Sequence, residues 1–170
     1  ILLAGHLRKP IRTLADSVAR LSSGEYQLQV PEDRQDELGD LARSFNRLAR
    51  TLADNSLLLT AVDQAAESIV LTDPTPAIVY ANPATVRTTG YQLEEIVGRN
   101  PNVFKSGFHD QLFYEAMWST LLRGEAFHGQ MVNRRKSGEV YEEDATITPV
   151  RNEAGEVVAY VGVKHDLTRE

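Results

Sequence analysis

Apolar residues in the first third of the chain recur at steps of three and four residues, the spacing of one face of a helix. The first such set is Ile11, Leu14, Val18 and Leu21. The second set is Leu38, Leu41, Phe45, Leu48 and Leu52. Gly24 favours a helix end and Pro31 prevents helix continuation. Residues 24–35 are therefore predicted to form a connector, in which Leu28 and Val30 are the only aliphatic residues.

The second helical pattern continues beyond Leu52, through Asn55, Leu59 and Val62 to Ile69, and no Gly or Pro interrupts it. It predicts one continuous helix over 46–69, of which residues 56–68 would connect two domains. Two amphipathic helices joined by an extended connector leave apolar faces that nothing in the segment covers. We therefore expect a parallel homodimer, formed through the two helices and the connecting helix.

This helix-connector-helix segment resembles the HAMP domain of bacterial transmembrane receptors. The resemblance rests on Pro10, on Gly24-Glu25 after the first helix, and on Asp36-Glu37-Leu38-Gly39 at the start of the second. It implies a parallel dimeric four-helix coiled coil over residues 1–55, with the two apolar sets in its core together with Leu28 and Val30. An ordinary helical hairpin is the alternative.

The first five residues are apolar and are followed by Arg8, Lys9 and Arg12, with no acidic residue before Asp16. This order resembles the end of a membrane span followed by cationic cytoplasmic residues. We expect residues 1–5 to be the tail of an upstream transmembrane helix. The chain would then lie on the cytoplasmic side of the bacterial inner membrane. The alternative is that the segment begins a buried helix.

After Ser68 the apolar pattern changes to the short runs and alternation typical of strands. Strands are predicted at 69–71, 77–80, 126–135, 139–149 and 157–165, with a helix over 110–122. Strands followed by short helices and then a three-strand meander indicate an α+β arrangement, with the helices on one face of an antiparallel sheet.

Residues 69–170 are similar to a PAS domain. The motifs that carry the similarity are Asn82-Pro83-Ala84, Thr89-Gly90-Tyr91, Gly98-Arg99-Asn100-Pro101, the hairpin Asn133 to Gly138, and Asp166-Leu167-Thr168. The similarity implies a five-stranded antiparallel sheet around a small cavity that holds haem, flavin or a metabolite in some members. Asp166 and Thr168 can cap an outgoing helix, and we expect them to form the signal output towards a downstream histidine kinase or diguanylate cyclase.

Composition narrows the function classes. The net charge of −6 disfavours nucleic acid as a partner, because phosphate backbones are bound by clustered positive charge. The absence of Cys excludes disulfides, thiolate metal sites, Cys nucleophiles and cysteinyl cofactor adducts. The four His form no metal-binding pair at helical spacing, and no Gly-x-Ser-x-Gly turn occurs. We expect no catalytic residue and no metal site, and therefore a regulatory fragment.

Flavin-binding PAS domains provide the comparison for the cavity. Asn100 and Asn133 match flavin-contacting positions, whereas Glu143 and Lys164 stand where Asn and Gln would be. Trp118 and the Asn-Arg-Arg-Lys hairpin resemble PAS domains that hold FAD, and His109 lies close to the axial position of haem sensors.

The cavity is expected to be empty or to hold a metabolite, in a module that relays a membrane-derived or cytoplasmic stimulus. A redox or gas receptor with FAD or haem is one alternative, and a purely structural dimerisation element is another. The candidate cavity residues are Asn100, Trp118, Asn133, Glu143 and Lys164. Because residues alternate between the faces of a strand, Glu143 is expected to point inward and to pair with Lys164.

Overall fold

A computed structural model describes residues 3–169, which divide into one compact unit up to Thr60 and a second from Ala61. The expected membrane-span tail falls partly on Ile1 and Leu2, which lie outside the described residues. No helix within 3–169 combines the length and the apolar character needed to cross a bilayer.

Two helices form most of the first unit: α1 (Leu3–Ser22) and α2 (Glu37–Asp63). Pro10 lies inside α1 rather than at its start. After α1, Gly24 adopts a positive φ of 92°, a conformation that glycine tolerates best. Asp36 precedes α2, and its Oδ1 accepts a hydrogen bond from Gly39 N at 3.2 Å. Hydrogen bonds from the Arg34 guanidinium hold the pKa of Asp36 at about 2, so the carboxylate stays charged beside the positive end of the helix.

The core of the first unit contains members of both helical sets and of the connector. Its buried apolar residues are Leu21, Val30, Ala42, Phe45 and Ala49, with Leu14, Tyr26, Leu28 and Leu52 packed against them. Leu38 is half-buried. Four other members of the predicted core set are about half exposed in the single chain: Ile11, Val18, Leu41 and Leu48.

Asn46 fixes the connector to α2. Its side chain is 1% exposed, its Oδ1 accepts from Val30 N at 2.9 Å, and its Nδ2 donates to Val30 O at 2.9 Å. One amide therefore satisfies both backbone groups of a buried connector residue. The spacing analysis did not identify Asn46, because its partner is sixteen residues away in the chain.

The helix that was expected to continue over 56–68 ends earlier than predicted. The observed helix, α2, ends at Asp63, and the first strand begins at Ser68. The last residues of α2, 61–63, belong to the second unit, and side chains of that same unit bind the groups at this helix end. Asn82 Nδ2 donates to Val62 O at 3.1 Å and to Glu67 O at 2.9 Å, and Tyr80 OH donates to the Asp63 carboxylate. Burial, together with this bond to Asp63, raises the pKa of Tyr80 to about 12.

The second unit has the predicted α+β architecture. Its five antiparallel strands are β1 (Ser68–Thr72), β2 (Ile78–Ala81), β3 (Phe127–Arg134), β4 (Val140–Arg151) and β5 (Val157–Asp166). They are arranged in the order β2-β1-β5-β4-β3. The helices between β2 and β3 are α3 (Pro83–Thr89), α4 (Leu93–Ile96) and α5 (Gln111–Leu122), with a 3-10 turn at Pro101–Phe104 between α4 and α5. A second 3-10 turn, Leu167–Arg169, follows β5.

Side-chain caps start two of these helices. Asn82 Oδ1 accepts from Thr85 N at 3.1 Å at the start of α3, and Asp110 Oδ1 accepts from Phe113 N at 2.9 Å at the start of α5. The helices cover one face of the sheet with two apolar clusters. One contains Val70, Ile78, Ala81, Ile96 and Phe104, and the other Met117, Leu121, Met131, Ala145 and Tyr160.

The Asn46 contact leads to a first prediction. Asn46→Ala leaves the Val30 N–H and C=O buried without partners, at about 1–3 kcal/mol for each group. We expect the free energy of unfolding of the first unit to fall by about 2–6 kcal/mol in urea titrations, with faster hydrogen exchange at the Val30 amide. Ser44→Ala, at an exposed position of α2, should change stability by less than about 0.5 kcal/mol. Equal stability of the two variants would contradict this role for Asn46.

Candidate functional site: a cavity on the inner face of the sheet

A cavity of about 300 Å³ lies between α5, the 3-10 turn at Pro101–Phe104 and the inner face of the sheet. Its size lies at the lower end of the range for small-molecule sites. α5 contributes Tyr114, Met117, Trp118 and Leu121, and the sheet contributes Val70, Met131, Ile147, Tyr160 and Gly162. Trp118 meets the ring of Tyr160 edge to face at 5.4 Å. Most of the wall is therefore apolar and aromatic.

The structure brings four of the five predicted cavity residues to this wall: Asn100, Trp118, Asn133 and Lys164. Glu143 is different, because it lies behind the wall with its side chain 1% exposed. Its Oε1 lies 2.8 Å from Lys164 Nζ and accepts from Asn133 Nδ2 at 2.7 Å. The predicted inward orientation of Glu143 and its pairing with Lys164 are both observed, but Glu143 itself does not line the cavity.

Strand register explains the ion pair. Lys164 stands opposite Ala145 in the antiparallel pairing of β4 with β5, so Glu143 is its diagonal neighbour on the same face. The Lys164 side chain is 10% exposed, and its Nζ lies 5.5 Å from the centre of the Phe104 ring. Each charge would be costly to bury alone, and each is compensated by the other.

Two buried polar atoms at the cavity have no hydrogen-bond partner within the described part of the chain. They are Thr72 Oγ1 and Tyr114 OH, and both residues line the cavity. Burial raises the pKa of Tyr114, so its hydroxyl remains a proton donor. Neither residue was selected from the sequence, although the alternation of β1 places Thr72 on the same face as Val70. Buried polar atoms are normally paired, and a ligand with polar groups would satisfy these two.

His109 does not reach the cavity wall. Its Nε2 accepts a hydrogen bond from Val132 N at 2.9 Å, and its ring stacks on Phe113 with centroids 3.8 Å apart. The expectation of an axial haem ligand at this position therefore does not fit the geometry. Within residues 3–169, no group of three or more His, Asp or Glu residues is arranged to hold a metal ion.

A second buried cation, Arg135, lies near the end of β5. Arg135 donates to Asp166 Oδ2 at 2.7 Å and to Thr168 Oγ1 at 3.1 Å, and it also donates to Thr88 O. Its guanidinium lies 4.1 Å from the centre of the Tyr141 ring. Burial opposes ionisation of Asp166, but hydrogen bonds from Thr168 and Arg135 outweigh it and lower the pKa of Asp166. The sequence analysis selected Asp166 and Thr168 as capping residues, but it did not identify Arg135 as their partner.

The buried pair gives a prediction on stability. Glu143→Gln and Lys164→Met each leave one uncompensated charge, so we expect each to lower the free energy of unfolding by about 3–5 kcal/mol. The double variant should recover most of this loss, which a double-mutant cycle measures by thermal or urea unfolding.

The exposed pair of Lys136 with Glu95 serves as the matched control, because its side chains are 48% and 38% exposed. Lys136→Met and Glu95→Gln should have small effects that add within about 0.5 kcal/mol. Additive losses at Glu143 and Lys164 would contradict the energetic coupling of the buried pair.

Comparison with known proteins gives matches over both units. The family model described as PAS fold matches residues 56–167, and the one described as HAMP domain matches residues 2–54. A light-oxygen-voltage domain studied with a flavin analogue has a TM-score of 0.61 at 31% identity, covering 69% of this chain and 89% of that one.

Longer relatives match part of the chain. A nitrogen fixation regulatory protein of Klebsiella oxytoca is 39% identical over 120 residues, covering 71% of this chain and 24% of that protein. A blue-light-activated histidine kinase of Brucella canis is 32% identical over 97 residues, covering 57% of this chain and 20% of that protein. The chain thus spans about a quarter of the length of the curated relatives it matches, or less.

Proposed function

We propose that this chain, which belongs to the PAS family over residues 56–167 and carries a HAMP domain over residues 2–54, is the sensor and relay segment of a membrane-anchored receptor. Its PAS cavity would bind a small molecule that has an apolar body and polar edges. The observation that carries this proposal is the pair of buried hydroxyls without a partner among the described residues, Thr72 Oγ1 and Tyr114 OH, at a cavity whose wall is mostly apolar.

A flavin is the cofactor class that fits these residues best. Lys164 and the Asn133 amide would hold the carbonyl edge of the ring, and Trp118 would contact its apolar part. A bound flavin would supply redox chemistry to the sensor. Because the chain contains no Cys, no cysteinyl adduct can form. The likeness to a light-oxygen-voltage domain studied with a flavin analogue supports the choice.

The relay would work as a parallel homodimer. Ile11 and Val18 lie seven residues apart on α1, Leu41 and Leu48 lie seven apart on α2, and all four are about half exposed in one chain. A second copy would cover these heptad positions, as in a coiled coil. The signal would pass to an effector of the histidine kinase or diguanylate cyclase type, and the histidine kinase among the relatives supports the first.

Filling the cavity tests the ligand. A Cβ at Gly162 would meet Lys164 Cε and Val70 O at 3.8 Å, which is ordinary contact, so Gly162→Ala should fold and bind. Gly162→Leu would fill the cavity. We expect FMN or FAD to bind the unchanged protein and the alanine variant, seen as altered flavin fluorescence, and binding to Gly162→Leu to fall at least about tenfold. No binding of either flavin by the unchanged protein would exclude the flavin assignment. Equal binding by Gly162→Leu would exclude the cavity as its site.

The dimer is tested at an exposed heptad position. Leu48→Glu would place a carboxylate in the apolar interface, and burying an unpaired charge costs several kcal/mol. We expect the dimer dissociation constant to rise by about a hundredfold or more in sedimentation equilibrium. Leu112→Glu, at a 71% exposed leucine of α5, is the control and should leave association unchanged. A monomer for the unchanged chain, or equal association for both variants, would contradict this interface.

A further inference from the structure

Two carboxylates stand opposite each other on neighbouring strands, behind the cavity wall. Glu143 and Asp166 are directly opposite in the pairing of β4 with β5, and directly opposed like charges destabilise a sheet. Each carboxylate has its own cation. Lys164 lies 2.8 Å from Glu143, and Arg135 lies 2.7 Å from Asp166. The two negative charges are therefore flanked by two positive ones. We call these four side chains, Lys164, Glu143, Asp166 and Arg135, the charged row.

All four side chains are nearly removed from water, with exposures of 10% for Lys164, 1% for Glu143, 6% for Arg135 and 9% for Asp166. Solvent screening is weak in such an environment. A change in the partner of one charge is therefore felt by the other three. Surface pairs such as Lys136 with Glu95 lack this sensitivity.

One end of this charged row faces the cavity and the other holds the Leu167–Arg169 turn. Lys164 lines the cavity, whereas Glu143 does not. At the other end Asp166 Oδ1 accepts from Thr168 N at 3.0 Å and also from the Thr168 hydroxyl. Arg135 binds both residues. The Leu167–Arg169 turn thus depends on the contact of Arg135 with Asp166.

Tyr141 connects the two halves of the row. Its ring lies beneath the Arg135 guanidinium at 4.1 Å. Burial, and after it the nearby Glu143 carboxylate, raises the pKa of Tyr141, so its neutral hydroxyl stays beside Glu143. Buried side chains therefore connect the cavity without interruption to the Leu167–Arg169 turn, which we call the output turn.

We propose that the cavity recognises negative charge on its ligand, and that this charge releases the output turn by drawing Lys164 away from Glu143. Once uncompensated, Glu143 repels Asp166 and competes with it for Arg135, which weakens the cap on Thr168. The ligand class is an apolar molecule with an anionic group next to Lys164, carried permanently or gained on reduction. This inference rests on the proposed sensing role of the cavity.

The charged row can be tested without ligand, because Lys164→Met imitates withdrawal of the lysine. We expect hydrogen exchange of the Thr168 amide, followed by NMR in the full chain at fixed pH, to accelerate about fivefold or more. Adding Glu143→Gln removes the competing charge, so the double variant should return to within about twofold of the original rate. Lys136→Met is the matched control and should leave this rate unchanged.

An unchanged Thr168 rate in Lys164→Met would overturn the proposal. A double variant as fast as Lys164→Met would overturn it as well, because the effect would then not pass through Glu143. If Lys164→Met does not fold, Lys164→Gln, which keeps a hydrogen-bond donor, is judged by the same criteria. Since no ligand is added, failure here is distinct from failure of flavin binding, which would contradict the proposed function instead.

Discussion

The requirement that buried polar groups be paired shapes this chain more than any single apolar contact. Asn82 is the best example, because one side chain joins three elements. Its Oδ1 accepts from Ile69 N at 2.9 Å and from Thr85 N at 3.1 Å, and its Nδ2 donates to Val62 O and Glu67 O. The end of α2, the start of β1 and the start of α3 are thereby fixed at one fully buried amide.

The same requirement distinguishes the cavity from the rest of the core. On the inner face the buried carboxylate of Glu143 has Lys164 and Asn133 as its partners. Thr72 Oγ1 and Tyr114 OH lack one among the described residues. Apolar packing could have filled this volume at lower cost. Polar atoms facing an open space are better explained by a ligand that pairs with them than by imperfect packing.

Local patterns were sufficient for what depends on local spacing. Heptads predicted the helices, alternation predicted the strands and the inward side of Glu143, and Asp110 marked the start of α5. The pairing of Glu143 with Lys164 was also predicted, but other contacts between distant parts of the sequence were missed. The bonds of Asn46 to Val30 and of Arg135 to Asp166 span 16 and 31 residues. The end of α2 at Asp63 was missed for the same reason, because the partner that ends it, Asn82, belongs to a different element.

A sensor can change its state only if the ligand interacts differently with the two arrangements. An apolar contact at the cavity wall would bind a ligand equally well in both arrangements of the protein. The pair of Lys164 with Glu143 would meet the requirement, because the lysine would bind either the proposed ligand or its internal partner and would satisfy Glu143 only in the second case. Typical coupling energies of about 1–3 kcal/mol are smaller than the cost of leaving such a charge unpaired. In the proposed relay, a stability cost at this pair would therefore be the physical source of the response, which would give a reason for its presence where two apolar residues would pack as well.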